Sequence, residues 1–178
     1  MVNEAQLLER ARAGYERSRA SFAVRVAAPV AVLPAASFLL GTSWRSATLL
    51  GAGLVTALAL SMWRGGAFSF GGITGLKAGL VPLAFAHGAK LFGHVCTPTG
   101  CTTLCVPACA SGGVIAGLLL EWWARRSPNP NLTRGLGVGV ALLTGALGCS
   151  CVGASGILAL LAGVAASSLA ARLVPARA

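Results

Sequence analysis

GLGVGVALLTGALGCSCVGASGILALLAGVAASSLAA, residues 135–171, holds 37 positions without one charged side chain. Read as a single helix it would be about 55 Å long, against roughly 30 Å of hydrocarbon in a bilayer. The stretch must fold back on itself. Its turn-like centre, Gly148-Cys149-Ser150-Cys151-Val152-Gly153-Ala154-Ser155-Gly156, is the natural break. Two membrane-spanning arms result, near 134–149 and 154–172.

The same test applied upstream yields four more spans. Residues 26–44 and 46–63 are charge-free and end at Arg45 and Arg64. A glycine-rich segment near 71–92 carries Lys77 and Lys90, read as lying near its two ends, where long side chains snorkel. A Cys, Thr, Pro and Gly loop follows. The next span, near 105–124, has Pro107 in its first turn and ends at Trp122, Trp123, Arg125 and Arg126. The first span is placed near 24–42. The expectation is an all-α, polytopic, six-helix membrane bundle over residues 26–174.

Composition agrees. The chain of 178 residues is 56% hydrophobic and 10% charged. A soluble domain carries about 25% charged residues. Aspartate is absent, and the only acids are Glu4, Glu9, Glu16 and Glu121. That excludes a paired-carboxylate hydrolase, and no enzyme activity is expected. The net charge of +10 has a topological reading. With both termini inside, 12 of the 14 Lys and Arg fall on the cytoplasmic side and only Arg45 and Lys90 outside. N-in/C-in is the expected orientation, and the charge is not a nucleic-acid footprint.

Residues 1–25 read as a separate basic amphipathic helix in the cytoplasm or on the membrane surface, with Leu7, Leu8, Ala11 and Tyr15 at helical spacing. Arg10, Arg12, Arg17 and Arg19 are its candidate contacts with a partner or with anionic lipid. The segment is too long and polar for the start of a signal peptide, and no A-x-A site follows. Asn131-Leu132-Thr133 matches a glycosylation sequon but falls on the inner side. Gly71, Gly75 and Gly79 have small-xxx-small spacing, as do Gly145, Cys149 and Gly153.

Six cysteines are the chemical signal. Cys96, Cys101, Cys105 and Cys109 flank the loop before the fourth span, and Cys149 and Cys151 lie in the last turn. The charge-derived topology puts all six, with His94, at the outer face. Taken alone, Cys109 reads as a small apolar packing residue. As a group the thiols read as structural disulfides, with fifteen pairings open, or as a thiolate sensor. Cys101, Cys105, Cys151 and His94 are the candidate ligands for a soft or borderline metal ion. No C-x-x-C is present, which places a thiol oxidoreductase last. His87, inside the third span, is a functional candidate or a satisfied core histidine.

The layout resembles the NrsF-like family of bacterial membrane anti-sigma factors. The likeness runs through about residues 95–172: Cys101, Pro107, Leu118-Leu119-Leu120, Arg125-Arg126, Pro128, the glycines from Gly135 to Gly148, and Cys151. Cys101 (or Cys105) and Cys151 occupy the positions of that family's two cysteines. The extra cysteines depart from the pattern, as does Val152-Gly153-Ala154-Ser155 where the family has an acidic segment. The resemblance implies a protein of the bacterial inner membrane that holds an extracytoplasmic-function sigma factor until metal or oxidant stress. A soft-metal transporter of the mercury-uptake type is the alternative expectation.

Overall fold

The structure, a computed structural model, describes residues 4–91, 105–150 and 153–173. Every described element is helical: α1 (Glu4–Ala27), a 3₁₀ turn (Ala28–Ala31), α2 (Val32–Leu39), α3 (Trp44–Arg64), α4 (Ala67–Leu91), α5 (Cys105–Ala124), α6 (Pro130–Cys149) and α7 (Ala154–Leu173). With α1 and α2 counted as one rod, six helices are long and apolar enough to cross a membrane. They suggest a multi-pass membrane protein.

Local chemistry accounts for the boundaries. Pro29 lacks a backbone N–H, and the α-helix tightens to 3₁₀ around it. Ser43 caps α3, its Oγ accepting from the Ser46 amide at 3.3 Å. Gly65 and Gly66, at φ 68° and 57°, supply the left-handed turn into α4 that a side chain would disfavour. That turn starts α4 at Ala67, earlier than the 71 expected. Pro130 in the first turn likewise starts α6 four residues before the expected 134.

The composition change at residue 25 falls inside a helix. α1 runs through it without a break and packs on α3 with Ala23 and Ala27 buried. The Arg19 guanidinium lies by the α3–α4 turn, where a side chain on Gly65 would sit 3.2 Å from Nη2. The residues before Arg19 therefore continue past that end of the bundle. Residues 6–18 are all exposed. Fifteen residues, Glu4 to Ser18, give an arm about 22 Å long.

Lys77 is not near a helix end. It is ten residues into α4, about 15 Å along the axis. Its side chain is exposed, on the face opposite Gly75.

Glycine seams hold the bundle together. A Cβ on Gly75 would lie 2.5 Å from the Gly137 carbonyl oxygen, and one on Gly79 2.6 Å from Thr144 Cβ. A Cβ on Gly71 would lie 3.2 Å from the Thr133 Cα. α4 and α6 thus meet backbone to backbone, as their spacing predicts. A second seam joins α5 to α7. A Cβ on Gly113 would lie 2.6 Å from the Leu160 carbonyl oxygen, Gly117 faces Ser167, and Gly163 faces the Ala110 carbonyl. The Pro82 ring sits between Gly112 and Gly145. The expected third member of the later triplet, Gly153, is a turn residue at φ 77° with open space beside it. Leu54, Leu58, Leu83, Val140 and Leu147 fill the core between α3, α4 and α6.

Gly75→Leu is expected to destabilise the protein by at least about 1–3 kcal/mol, because the seam cannot absorb the volume. Gly88→Ala, in open space on the same helix, is expected to be neutral or to stabilise by up to about 1 kcal/mol. Thermal unfolding of the purified variants in detergent compares the two.

Candidate functional site

The two ends of the bundle differ in chemistry. At one end Cys109, in the second turn of α5, meets Cys149, the last residue of α6. Their sulfurs are at disulfide distance, with the Cα atoms 6.3 Å apart and a sequence separation of 40. Both are fully buried against Ala86, Leu160 and Val164. Nearby, Thr42 Oγ1 donates to the Leu147 carbonyl at 3.2 Å, holding the α2–α3 turn to the end of α6. His87 Nε2 lies 3.5 Å from Ser37 Oγ and is half-buried.

Cys109, which taken alone reads as a packing residue, is both buried in this cluster and one partner of the pair. Cys149 faces Cys109 across the α5–α6 seam. Cys105 is buried one turn before Cys109. Cys96, Cys101, Cys151 and His94 lie outside the described residues. Of the four candidate metal ligands only Cys105 is described. Among the described residues no three His, Cys, Asp or Glu side chains come together.

The opposite end carries an ion-pair node. Glu121, in the last turns of α5, is 5% exposed. Arg134 of α6 donates to it twice, from Nε and Nη2 at 2.7 Å each. This fork-to-fork arrangement is the strong form of a charge pair. Arg125 Nε stands 3.5 Å from the same carboxylate, and its Nη2 donates to the Ala171 carbonyl of α7 at 2.6 Å. Arg134 Nη1 also donates to Asn131 Oδ1 at 3.0 Å. Ser127 and Thr133, buried beside the node, share a 2.6 Å hydrogen bond. Glu121 therefore ties α5, α6 and α7 at one end, while the cysteine pair ties α5 to α6 at the other. Cys109 and Glu121 are about 18 Å apart along α5.

The sequence reading counted Glu121 and did not use it. The available signal was a lone acid in an apolar span with Arg125 four residues on, since a buried charge requires a partner. Arg10, Arg12, Arg17 and Arg19 all lie on α1. Arg12 pairs with Glu16 at 3.4 Å, and Arg19 stacks on Tyr15 at 5.5 Å. The arm shares its end of the bundle with the Glu121 node.

Comparison of the chain with protein-family models, curated proteins and solved structures finds no match.

Proposed function

We propose that the chain is an anti-sigma factor of the bacterial inner membrane, with both termini in the cytoplasm. The α1 arm grips an extracytoplasmic-function sigma factor. The Cys109–Cys149 pair, facing the periplasm, sets whether the grip holds. The observation that carries this reading is the separation of roles along one bundle. A buried cysteine pair at disulfide distance lies at one end, and an exposed basic arm projects from the other. The arm's Arg10, Arg12 and Arg17, with exposed Leu7, Leu8 and Tyr15, suit a protein surface carrying acidic and apolar groups.

Signal transfer uses the two ties on α5 and α6. A periplasmic dithiol gives two electrons and two protons to the pair and becomes a disulfide, leaving Cys109 and Cys149 as thiols. The α5–α6 seam then opens at that end and pivots on the Glu121–Arg134 pair. Unlike the release by oxidant that the resemblance implies, release on this reading follows reduction: the paired state holds the sigma factor, and the open state releases it. Anionic lipid at the inner leaflet competes for the arm's arginines.

Co-expression with the extracytoplasmic-function sigma factors of the source genome, one at a time, tests the reading. One of them should co-purify with the membrane protein, and its reporter should fall silent. Replacing Arg10, Arg12 and Arg17 with glutamine should restore reporter activity. If none co-purifies and none loses activity, the proposal is refuted.

A further inference from the structure

A groove of about 550 Å³ runs between α3 and α6 toward the arginine end. Leu60, Leu143 and Trp63 line its walls. Its floor on α6 is open because Gly135 and Gly139 carry no side chain and nothing approaches within 4 Å of where one would stand. At its mouth Arg64 lies over the Phe68 ring at 5.2 Å. Arg19 reaches the same turn. α4 begins there at Ala67, so the positive end of its dipole faces that point, although the Phe68 amide already donates to the Gly65 carbonyl at 3.1 Å. Among the described residues no carboxylate pairs with Arg64 or Arg19: Glu16 pairs with Arg12, and Glu121 with Arg125 and Arg134.

We propose that this groove binds one anionic phospholipid. The phosphate sits at the α3–α4 turn among Arg64, Arg19 and the α4 N-terminus, and an acyl chain lies along the glycine floor of α6. The charge pattern selects the occupant. A zwitterionic lipid or an apolar helix would fill the apolar trough but would leave two guanidiniums and a helix N-terminus without a counter-charge. The lipid fills the space between α3 and α6 that Gly135 and Gly139 leave open. The proposal rests on the chain lying in a membrane, and it is independent of any sigma factor.

Trp63 supplies the probe. The full chain with Trp44→Phe, Trp122→Phe and Trp123→Phe is reconstituted into phosphatidylcholine vesicles. Phosphatidylglycerol or phosphatidylcholine with brominated acyl chains is then titrated in. Bromine quenches the remaining tryptophan on contact. Each basic residue near the surface adds about 1 kcal/mol of attraction to anionic lipid, about fivefold in apparent affinity. Half-maximal quenching should therefore need at least about fivefold less brominated phosphatidylglycerol than brominated phosphatidylcholine. Arg64→Gln should remove about fivefold of that preference. Gly139→Leu, which fills open space, should abolish the preference while leaving general quenching by surrounding lipid. Equal quenching by the two lipids overturns the proposal, as does an anionic preference that survives both substitutions. Reconstitution without a sigma factor keeps this outcome separate from that of the anti-sigma reading.

Discussion

Glu121→Leu is expected to destabilise the bundle by about 3–5 kcal/mol, the cost of leaving a buried charge without its partner. The carboxylate is 5% exposed and accepts two 2.7 Å hydrogen bonds from Arg134. Removing it leaves the half-buried Arg134 without its carboxylate and frees Arg125, which also holds α7 through the Ala171 carbonyl. The paired change Glu121→Leu with Arg134→Met should recover most of the loss, because an apolar pair of similar volume needs no counter-charge. Urea or heat titration in detergent, followed by tryptophan fluorescence, measures both. A single variant as stable as the native chain would show that the node is solvated and not a structural tie.

Cys109→Ala is expected to cost about 2–4 kcal/mol. The pair closes a loop spanning 40 residues of sequence, and releasing it returns conformational freedom to the unfolded chain. The substitution also removes a sulfur from a fully buried site beside Leu160 and Val164. Cys149→Ala should lose the same amount, and the double variant should lose scarcely more than either one. Non-additivity is the signature of a shared bond. Reduction of the native protein should reproduce the loss, and reduction of the double variant should change nothing. Additive losses, or a native protein indifferent to reduction, would mean that the two cysteines act separately.

The six apolar helices were legible because their limits are written in charge. Arg45, Arg64 and the Arg125–Arg126 pair interrupt the apolar runs, and no packing information is needed to see it. Gly71, Gly75 and Gly79 were legible for a related reason: a four-residue repeat of small side chains has one obvious use in a helix pair. The α5–α7 seam uses the same device, with Gly113 and Gly117 meeting Leu160 and Ser167. It went unread because the glycines of that span sit in a run of other small residues.

Residues 1–25 looked like a separate element because composition changes at their end. The backbone does not follow composition there. Glu, Arg and Ala are strong helix formers, and the chain stays helical until Pro29 tightens it. The cysteine pairing could not be read from spacing. It depends on which turn of α5 faces the end of α6, and the choice between Cys105 and Cys109 is one turn of helix. In the sequence Glu121 is only one of four acids. Its role appears only once Arg134, 13 residues away, is folded back against it.

The most direct test of the account is the amount of sigma factor retained by the purified full-length protein before and after reduction of Cys109–Cys149. The paired protein should retain the sigma factor and release it on reduction. The double variant Cys109→Ala with Cys149→Ala should retain little under either condition. Equal retention by the paired, reduced and cysteine-free proteins would contradict the account.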